Sequence, residues 1–165
     1  MTEKQLIAKA EKLVAVLKEQ NRTLGIAESC TGGWLSKIIT DVSGASAIYN
    51  GGICSYSNEI KIKLLGVNPE TLRLYGAVSE QTAKEMATGA RKSLNSHIGV
   101  GITGIAGPTS DDTEKPVGLI YVAVSDGNKT LVKELRNNFT NEIRINNRMS
   151  AIETALNLLG GLNEK

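Results

Sequence analysis

Residues 23–39, TLGIAESCTGGWLSKII, contain the change of pattern that decides the fold. Thr23 to Ala27 is a short apolar run of the kind found in buried strands. The segment SCTGG at 29–33 combines hydroxyl and glycine residues, which favour a tight turn. Apolar residues then return at helical spacing, namely Trp34, Leu35, Ile38 and Ile39. The stretch therefore predicts a strand, a tight turn and a helix.

The flanking segments extend this pattern in both directions. Residues 2–20 have the apolar spacing of an amphipathic helix that covers a sheet. Downstream, the pattern predicts a strand over 51–56, short helices over 58–65 and 69–74, a helix of small residues after an N-cap at Ser79, a strand over 97–102, a hairpin of strands over 117–124 and 130–135, and a final helix over 142–159. Alternating helices and strands followed by an antiparallel pair predict an α/β fold, a three-layer α/β/α sandwich with a mixed parallel and antiparallel sheet.

Length and composition narrow the function classes. The chain has 165 residues, and we expect one domain over residues 1–165. The net charge is only +2 and the basic residues are dispersed, which argues against a nucleic-acid partner. No apolar run is long enough to cross a membrane, so we expect no membrane association and a cytoplasmic location. Most soluble oligomers are symmetric homo-oligomers, and we expect one here.

Cysteine and histidine usage argues against a metal centre. The chain has two cysteines and one histidine, and their spacing fits no zinc motif. We therefore expect reduced cysteines and no metal.

The turn AESCTGG at 27–33 is the first candidate site. A turn between a strand and a helix projects a side chain beyond the sheet and directs free backbone N–H groups toward the same point. Ser29 is placed to attack a carbonyl there, and the N–H groups of Cys30 and Thr31 are placed to receive the oxyanion. The alternative is a helix cap, in which Ser29 or Thr31 only satisfies backbone donors.

A serine nucleophile needs a base, and three residues compete for that role. His97 begins an apolar strand, which favours a structural role. Lys61 and Lys63 lie on different faces of the short helix after Tyr56, and either one is a candidate if burial lowers its pKa. The alternatives are solvated surface lysines and a tyrosine that only packs.

Two further features are candidates for substrate binding. The glycine-rich segment at 101–108 contains Thr103 and Gly104, whose small side chains allow a ligand close to the backbone. The segment matches neither the GxGxxG nor the P-loop pattern of nucleotide-binding loops. The alternative to substrate binding is a turn with only a structural role. Arg144 and Arg148 lie one helical turn apart, a spacing that lets both bind one phosphate. The alternative is that both are solvated surface side chains.

Five motifs together resemble one family. In order these are AESCTGG, GGICSYSNEIKIKLLGV, YGAVSEQTAKEMATGAR, GITGIAGP and KPVGLIYVAV, and the chain is similar over almost its whole length to CinA C-terminal-domain proteins. The resemblance implies a nicotinamide-nucleotide amidase, which converts nicotinamide mononucleotide and water to nicotinic acid mononucleotide and ammonia without a cofactor.

The resemblance also implies roles for individual residues. Ser29 is expected to be the nucleophile and Lys61 the base, with Tyr56 and Thr103 as polar groups that orient the serine or the substrate. The remaining positions expected to bind substrate are Cys30, Thr31, Gly32, Gly33, Gly104, Arg144 and Arg148. Two segments depart from the family pattern: FTNEIRINNR at 139–148 has one extra residue, and Thr109 and Ser110 replace an aspartate-glycine pair.

Two rival interpretations remain open at this point. In the first, Cys30 is the nucleophile of an amidase, assisted by Glu28 and Lys61. In the second, the chain is a non-catalytic module that binds a nucleotide or regulates another domain. Loss of activity on thiol alkylation supports the first rival, and ligand binding without turnover supports the second.

Overall fold

The computed structural model describes residues 1–163, in which a mixed β-sheet separates two layers of helices. In chain order the elements are α1 (Glu3–Glu19), β1 (Leu24–Glu28), α2 (Trp34–Thr40), β2 (Tyr49–Cys54), α3 (Asn58–Leu65), α4 (Pro69–Tyr75), α5 (Glu80–Ser93), β3 (Ile98–Gly104), β4 (Leu119–Ser125), β5 (Thr130–Arg136) and α6 (Ile143–Asn163). A short 3₁₀ turn at Ala45–Ala47, which the sequence pattern did not predict, joins α2 to β2.

The sheet has the order β2-β1-β3-β4-β5. The first three strands are parallel, with Glu28 of β1 level with Cys54 of β2 and Ile102 of β3. Strand β4 is antiparallel to β3, and β5 is antiparallel to β4. The predicted mixed parallel and antiparallel sheet is therefore confirmed, including the hairpin at its second half.

Helices cover both faces of the sheet, as predicted for a three-layer sandwich. On one face, α1, α2 and α6 bury the main core against alternating residues of the central strands, such as Ile26, Val100 and Val122. On the other face, α5 lies across the strands, with α3 and α4 packed against it.

Strand β3 determines how closely α5 approaches. Ile98, Val100 and Ile102 face the main core, whereas the alternating positions Gly99 and Gly101 face α5. A Cβ on Gly99 would lie 1.9 Å from the carbonyl oxygen of Ala87, closer than any real contact. The glycines in β3 thus let the helix backbone rest directly on the strand.

Polar residues begin the helices that position the site. Ser57 accepts a hydrogen bond from the N–H of Ile60 at the start of α3. Ser79 accepts one from Thr82 at the start of α5, as its predicted N-cap role requires. Asn68 accepts from Glu70 at the start of α4, where Pro69 occupies the first turn. The beginnings of these helices are therefore encoded locally.

Some predicted boundaries were wrong by a few residues. Thr103 and Gly104, predicted to lie in a glycine-rich loop, belong to β3 because they pair with Tyr121 and Ile120 of β4. The second strand covers Tyr49–Cys54 rather than 51–56, so Tyr56 lies beyond its end. Among residues 1–163, no helix is both long and apolar enough to cross a membrane.

Candidate active site

The carboxyl ends of the three parallel strands meet at one edge of the sheet, and the candidate site lies there. Ser29 follows β1, Ser55 follows β2, and Thr103 is the penultimate residue of β3. The backbone joins these ends, since Ser29 N–H donates to Ile102 O over 3.0 Å and Ser55 N–H donates to Glu28 O over 2.8 Å. Parallel strands place their terminal side chains at a common edge, where α/β proteins bind ligands.

Ser29 and Lys61 form a buried pair at this edge. The Nζ of Lys61 lies 3.1 Å from Ser29 Oγ and donates to Ser55 O over 2.6 Å. Lys61 is 1% exposed and Ser29 is 9% exposed. Burial lowers the pKa of the Lys61 ammonium from 10.5 to about 8. The structure brings Lys61 to the serine, whereas Lys63 is exposed on another face of α3.

This geometry suits proton transfer from the serine to the lysine. A neutral lysine amine has two N–H donors and one lone pair. When one N–H donates to Ser55 O, the lone pair is free to accept the proton of Ser29 Oγ. The lowered pKa of Lys61 makes the neutral form available near neutral pH, as general-base chemistry requires.

Two N–H groups of the turn after β1 have no carbonyl acceptor. Gly32 N–H donates to Ser29 O over 3.1 Å, and Trp34 N–H donates to Thr31 O over 3.1 Å. Within residues 1–163, neither the N–H of Cys30 nor that of Thr31 donates to a backbone carbonyl. Gly32 and Gly33 have φ of 58° and 94°, a left-handed conformation that glycine adopts without strain.

Glu28 fixes the helix that follows this turn, a role the sequence analysis missed. It is 1% exposed. One carboxylate oxygen accepts from the N–H of Gly33 at 3.2 Å and of Leu35 at 3.0 Å. The other accepts from the N–H and hydroxyl of Ser36 at 2.9 and 2.8 Å. Glu28 thus stabilises the positive end of α2, and the glutamate four residues before Gly32 was its sequence signal.

Cys30 is placed differently from Ser29, although the two are adjacent. Its side chain belongs to the main core between the sheet and α1, α2 and α6. Burial raises the pKa of its thiol to about 12, which suppresses the nucleophilic thiolate. The carboxylate of Glu28, the assisting group in the cysteine mechanism, is occupied by α2. These placements favour Ser29 over Cys30.

A cleft of about 270 Å³ opens above the pair. Among the predicted site residues, its walls include Ser29, Cys30, Tyr56, Lys61, Thr103, Gly104 and Arg144. Thr103 Oγ1 donates to Ala77 O over 2.7 Å and so holds the opposite wall, made by Ala77 and Val78. The loop at 109–111, which departs from the family pattern, supplies Thr109, Ser110 and Asp111.

The two arginines of α6 lie in different surroundings. Arg144 lines the cleft, where its guanidinium donates to Gly107 O over 2.9 Å and to the exposed Tyr56 hydroxyl over 3.1 Å. Arg148 does not line it. Its guanidinium donates to Cys30 O over 3.1 Å and to Thr31 O over 2.8 Å, and lies 5.1 Å from the centre of the Trp34 ring.

The remaining predicted positions lie outside the cleft walls. Thr31, Gly32 and Gly33 form the turn beneath the cleft, and Thr31 is fully buried. His97 lies at the opposite end of the sheet, where its Nδ1 accepts from the N–H of Thr23 over 3.0 Å. His97 is therefore remote from Ser29, whose partner comes from α3.

Fold and site together define an α/β sandwich protein with a buried serine–lysine pair at the carboxyl ends of parallel strands. The family model described as CinA C-terminal domain matches residues 7–162, and the chain belongs to that family.

Relatives and solved structures agree with this membership. A CinA-like protein of Thermotoga neapolitana is 45% identical over 143 residues, 87% of this chain and 35% of that protein. One from Kosmotoga olearia is 51% identical over 126 residues, 76% of this chain and 31% of that protein. The chain thus spans about a third of the length of the curated relatives it matches.

The solved structures match this chain over almost their whole length, unlike the curated relatives. The competence/damage inducible protein CihA from Agrobacterium tumefaciens has a TM-score of 0.92 and 36% identity, with 99% of this chain and 98% of that chain covered. A CinA superfamily protein from Klebsiella pneumoniae has a TM-score of 0.89 and 28% identity, with the same coverage.

Proposed function

We propose that this chain is an amidohydrolase that converts nicotinamide mononucleotide and water to nicotinic acid mononucleotide and ammonia. The observation that carries the proposal is the contact of 3.1 Å between Lys61 Nζ and Ser29 Oγ at the floor of a cleft. The pair provides a nucleophile and its base. The choice of nicotinamide mononucleotide as substrate rests on the resemblance of the sequence motifs to the family. No step of the proposed reaction requires a metal or a cofactor.

The reaction proceeds through an ester on Ser29. Neutral Lys61 accepts the hydroxyl proton as Ser29 Oγ attacks the carboxamide carbon, and the N–H of Cys30, a residue that lines the cleft, stabilises the oxyanion. Protonated Lys61 then gives its proton to the departing nitrogen, and ammonia leaves. Lys61 next takes a proton from water as the water oxygen attacks the ester carbon. Protonated Lys61 then returns that proton to Ser29 Oγ as the ester C–O bond breaks, and the acid product leaves and loses its own proton to solvent.

Arg144 is the proposed phosphate ligand. It is the cation of α6 that lines the cleft, and its planar guanidinium is suited to an anionic oxygen cluster. Phosphate binding at a distance from the reacting carbon provides binding energy that orients the amide. Free nicotinamide is therefore expected to be a much poorer substrate than its mononucleotide.

The test measures ammonia and nicotinic acid mononucleotide released from nicotinamide mononucleotide without added metal. Wild type, Ser29→Ala, Lys61→Met, Cys30→Ala and the matched helix control Lys63→Met are compared after each is shown to be folded. Turnover is expected to be lost in the first two variants and retained in the last two. Turnover lost in Cys30→Ala but kept in Ser29→Ala moves the nucleophile, and a wild type that binds the nucleotide without turnover supports a binding module instead.

A further inference from the structure

Arg148 supports the nucleophile turn from the side away from the cleft. We propose that Arg148 is a positioning residue, which orients and polarises the peptide groups that hold the oxyanion-binding N–H of Cys30. This inference rests on the proposed function, because it assigns the support of the same site. It replaces the expectation that Arg148 binds phosphate beside Arg144.

The geometry of the peptide unit determines where each N–H of the turn points. In a trans peptide the C=O and the N–H point in opposite directions. The guanidinium holds Cys30 O at 3.1 Å, so the N–H of Thr31, in the same peptide unit, points away from Arg148. The preceding unit is held in the same manner, because Gly32 N–H binds Ser29 O and leaves the N–H of Cys30 directed oppositely. Neither N–H donates to a backbone carbonyl in residues 1–163, and Cys30 lines the cleft.

The charge of Arg148 adds polarisation to orientation. Hydrogen bonds from an ionised donor are roughly twice as strong as neutral ones, and hydrogen-bonded peptide groups polarise one another. The guanidinium on Thr31 O, at 2.8 Å, polarises the peptide unit that contains Gly32 N–H. Because this N–H binds Ser29 O, the N–H of Cys30 in the same unit as Ser29 O becomes a stronger donor. The other contact, to Cys30 O, holds the intervening peptide unit.

The surroundings of Arg148 favour arginine over other cations. A planar fork donates to the carbonyls of two successive residues at once, which a lysine ammonium does not match. The Trp34 ring, 5.1 Å from the guanidinium carbon, holds the fork in place. Gly32 passes beneath it, since a Cβ at Gly32 would lie 3.7 Å from one guanidinium nitrogen.

The experiment separates positioning from phosphate binding by measuring two reactions. The first is hydrolysis of nicotinamide mononucleotide, for which Arg148→Met is expected to lower kcat by about 100-fold while KM changes by less than about threefold. Arg144→Met, which removes a cleft cation, is expected to raise KM instead. The second is acetylation of Ser29 by p-nitrophenyl acetate, which passes through an oxyanion but contains no phosphate. Arg148→Met is expected to slow it by a similar factor.

Rescue distinguishes a specific contact from general damage. Ethylguanidinium at low millimolar concentration is expected to restore much of the lost rate in Arg148→Ala, without effect on the surface variant Arg73→Met. If Arg148→Met does not fold, Arg148→Lys replaces it, because it keeps the charge without the planar fork and is expected to be intermediate in kcat.

Each outcome decides the inference. A raised KM with unchanged kcat, or acetylation of Arg148→Met at the wild-type rate, overturns it. If wild type does not hydrolyse the mononucleotide but its Ser29 is acetylated in an Arg148-dependent manner, the proposed function fails and the inference stands. If wild-type Ser29 is not acetylated, the turn provides no oxyanion site and the inference fails too.

Discussion

Lys61 is buried and, within residues 1–163, forms no salt bridge with a carboxylate, and this determines its chemistry. Its ammonium has lost most of its hydration and has a neutral carbonyl and a hydroxyl as hydrogen-bond partners. Burial without a counter-charge favours the neutral amine. A lysine whose charged form the fold destabilises is thus the residue in contact with the candidate nucleophile.

The pH dependence of activity follows from this burial. The pKa of Lys61 is lowered to about 8, so the amine is mostly protonated at pH 7 and mostly neutral at pH 9. Because the neutral amine is the proposed base, kcat/KM is expected to rise with pH and level off above about pH 9. A pH profile of hydrolysis, with protein stability checked at each pH, measures this. A rate that falls over the same range contradicts the role of Lys61 as base.

The two thiols are expected to react differently with an alkylating agent. Cys54 is exposed, whereas Cys30 is buried and its thiol pKa is raised to about 12. Iodoacetamide at pH 7.5 should therefore modify Cys54 in the native protein and both thiols only after unfolding. Mass spectrometry locates the label, and ammonia release measures activity. Retained turnover after modification of Cys54 is expected, and rapid labelling of Cys30 with loss of turnover would restore the cysteine mechanism.

The sequence pattern predicted the candidate site residues only in part. Ser29 was predicted because strand, turn and helix follow one another within a few residues. The choice between Lys61 and Lys63 stayed open, since both lie on one short helix and the sequence does not show which face meets β1. Arg148 was paired with Arg144 by helical spacing, but their long side chains extend to different partners, the turn carbonyls and the cleft.

At the scale of elements, α2 depends on a buried carboxylate. Glu28→Gln keeps an acceptor oxygen but presents an NH₂ group to N–H donors that the carboxylate accepted from. Buried donors left without an acceptor cost about 1–3 kcal/mol each, so we expect the free energy of unfolding to fall by about 2–4 kcal/mol. Urea unfolding measures this change. Glu80→Gln, at the exposed start of α5, is the control and is expected to change stability by less than about 0.5 kcal/mol.

The contact between β3 and α5 requires glycine. Gly99→Ala would place a Cβ 1.9 Å from the backbone oxygen of Ala87, which neither element relieves without moving. We expect a loss of stability of about 3 kcal/mol or more, or a failure to fold.

A matched control exists in α6. Gly160→Ala adds a Cβ that meets nothing within 4 Å and lies in a helix, so we expect a gain of about 0.5–1 kcal/mol. Thermal unfolding of both variants compares them directly. Equal effects of the two substitutions would mean that β3 and α5 are not in backbone contact.

Elements were more predictable than their ends. The helices that begin at Ser57, Asn68 and Ser79 have local caps, and their starts follow from the sequence. The end of β3 does not, because Thr103 and Gly104 continue the strand only while β4 pairs with them. Tertiary partners, absent from local sequence, decide such boundaries.

For the whole molecule, burial of Lys61 in the candidate site lowers the free energy of unfolding. Lys61 is a full-length cationic side chain buried between α3 and the sheet, where an apolar residue of similar size would pack without a desolvation penalty. Proteins commonly accept such costs where function requires an unusual group. The cost depends on pH, because only the protonated lysine is penalised.

Lys61→Met is therefore expected to stabilise the protein while abolishing turnover. Below about pH 8 the lysine is protonated in both the folded and unfolded states, and the fold carries the full penalty of about 3 kcal/mol, given a pKa lowered from 10.5 to about 8. Loss of the hydrogen bond to Ser55 O offsets about 1 kcal/mol, which leaves a net gain of about 2 kcal/mol at pH 7.

Between pH 8 and 10.5 the folded amine is neutral while the unfolded one still binds its proton, so wild type gains stability as pH rises and the advantage of Lys61→Met shrinks. Urea unfolding of both proteins at pH 7 and pH 9.5 measures this difference, with Lys63→Met as the solvent-exposed control whose effect should not depend on pH. A gain for Lys61→Met that is the same at both pH values would show that Lys61 is not a desolvated base, and the proposed mechanism would lose its proton acceptor.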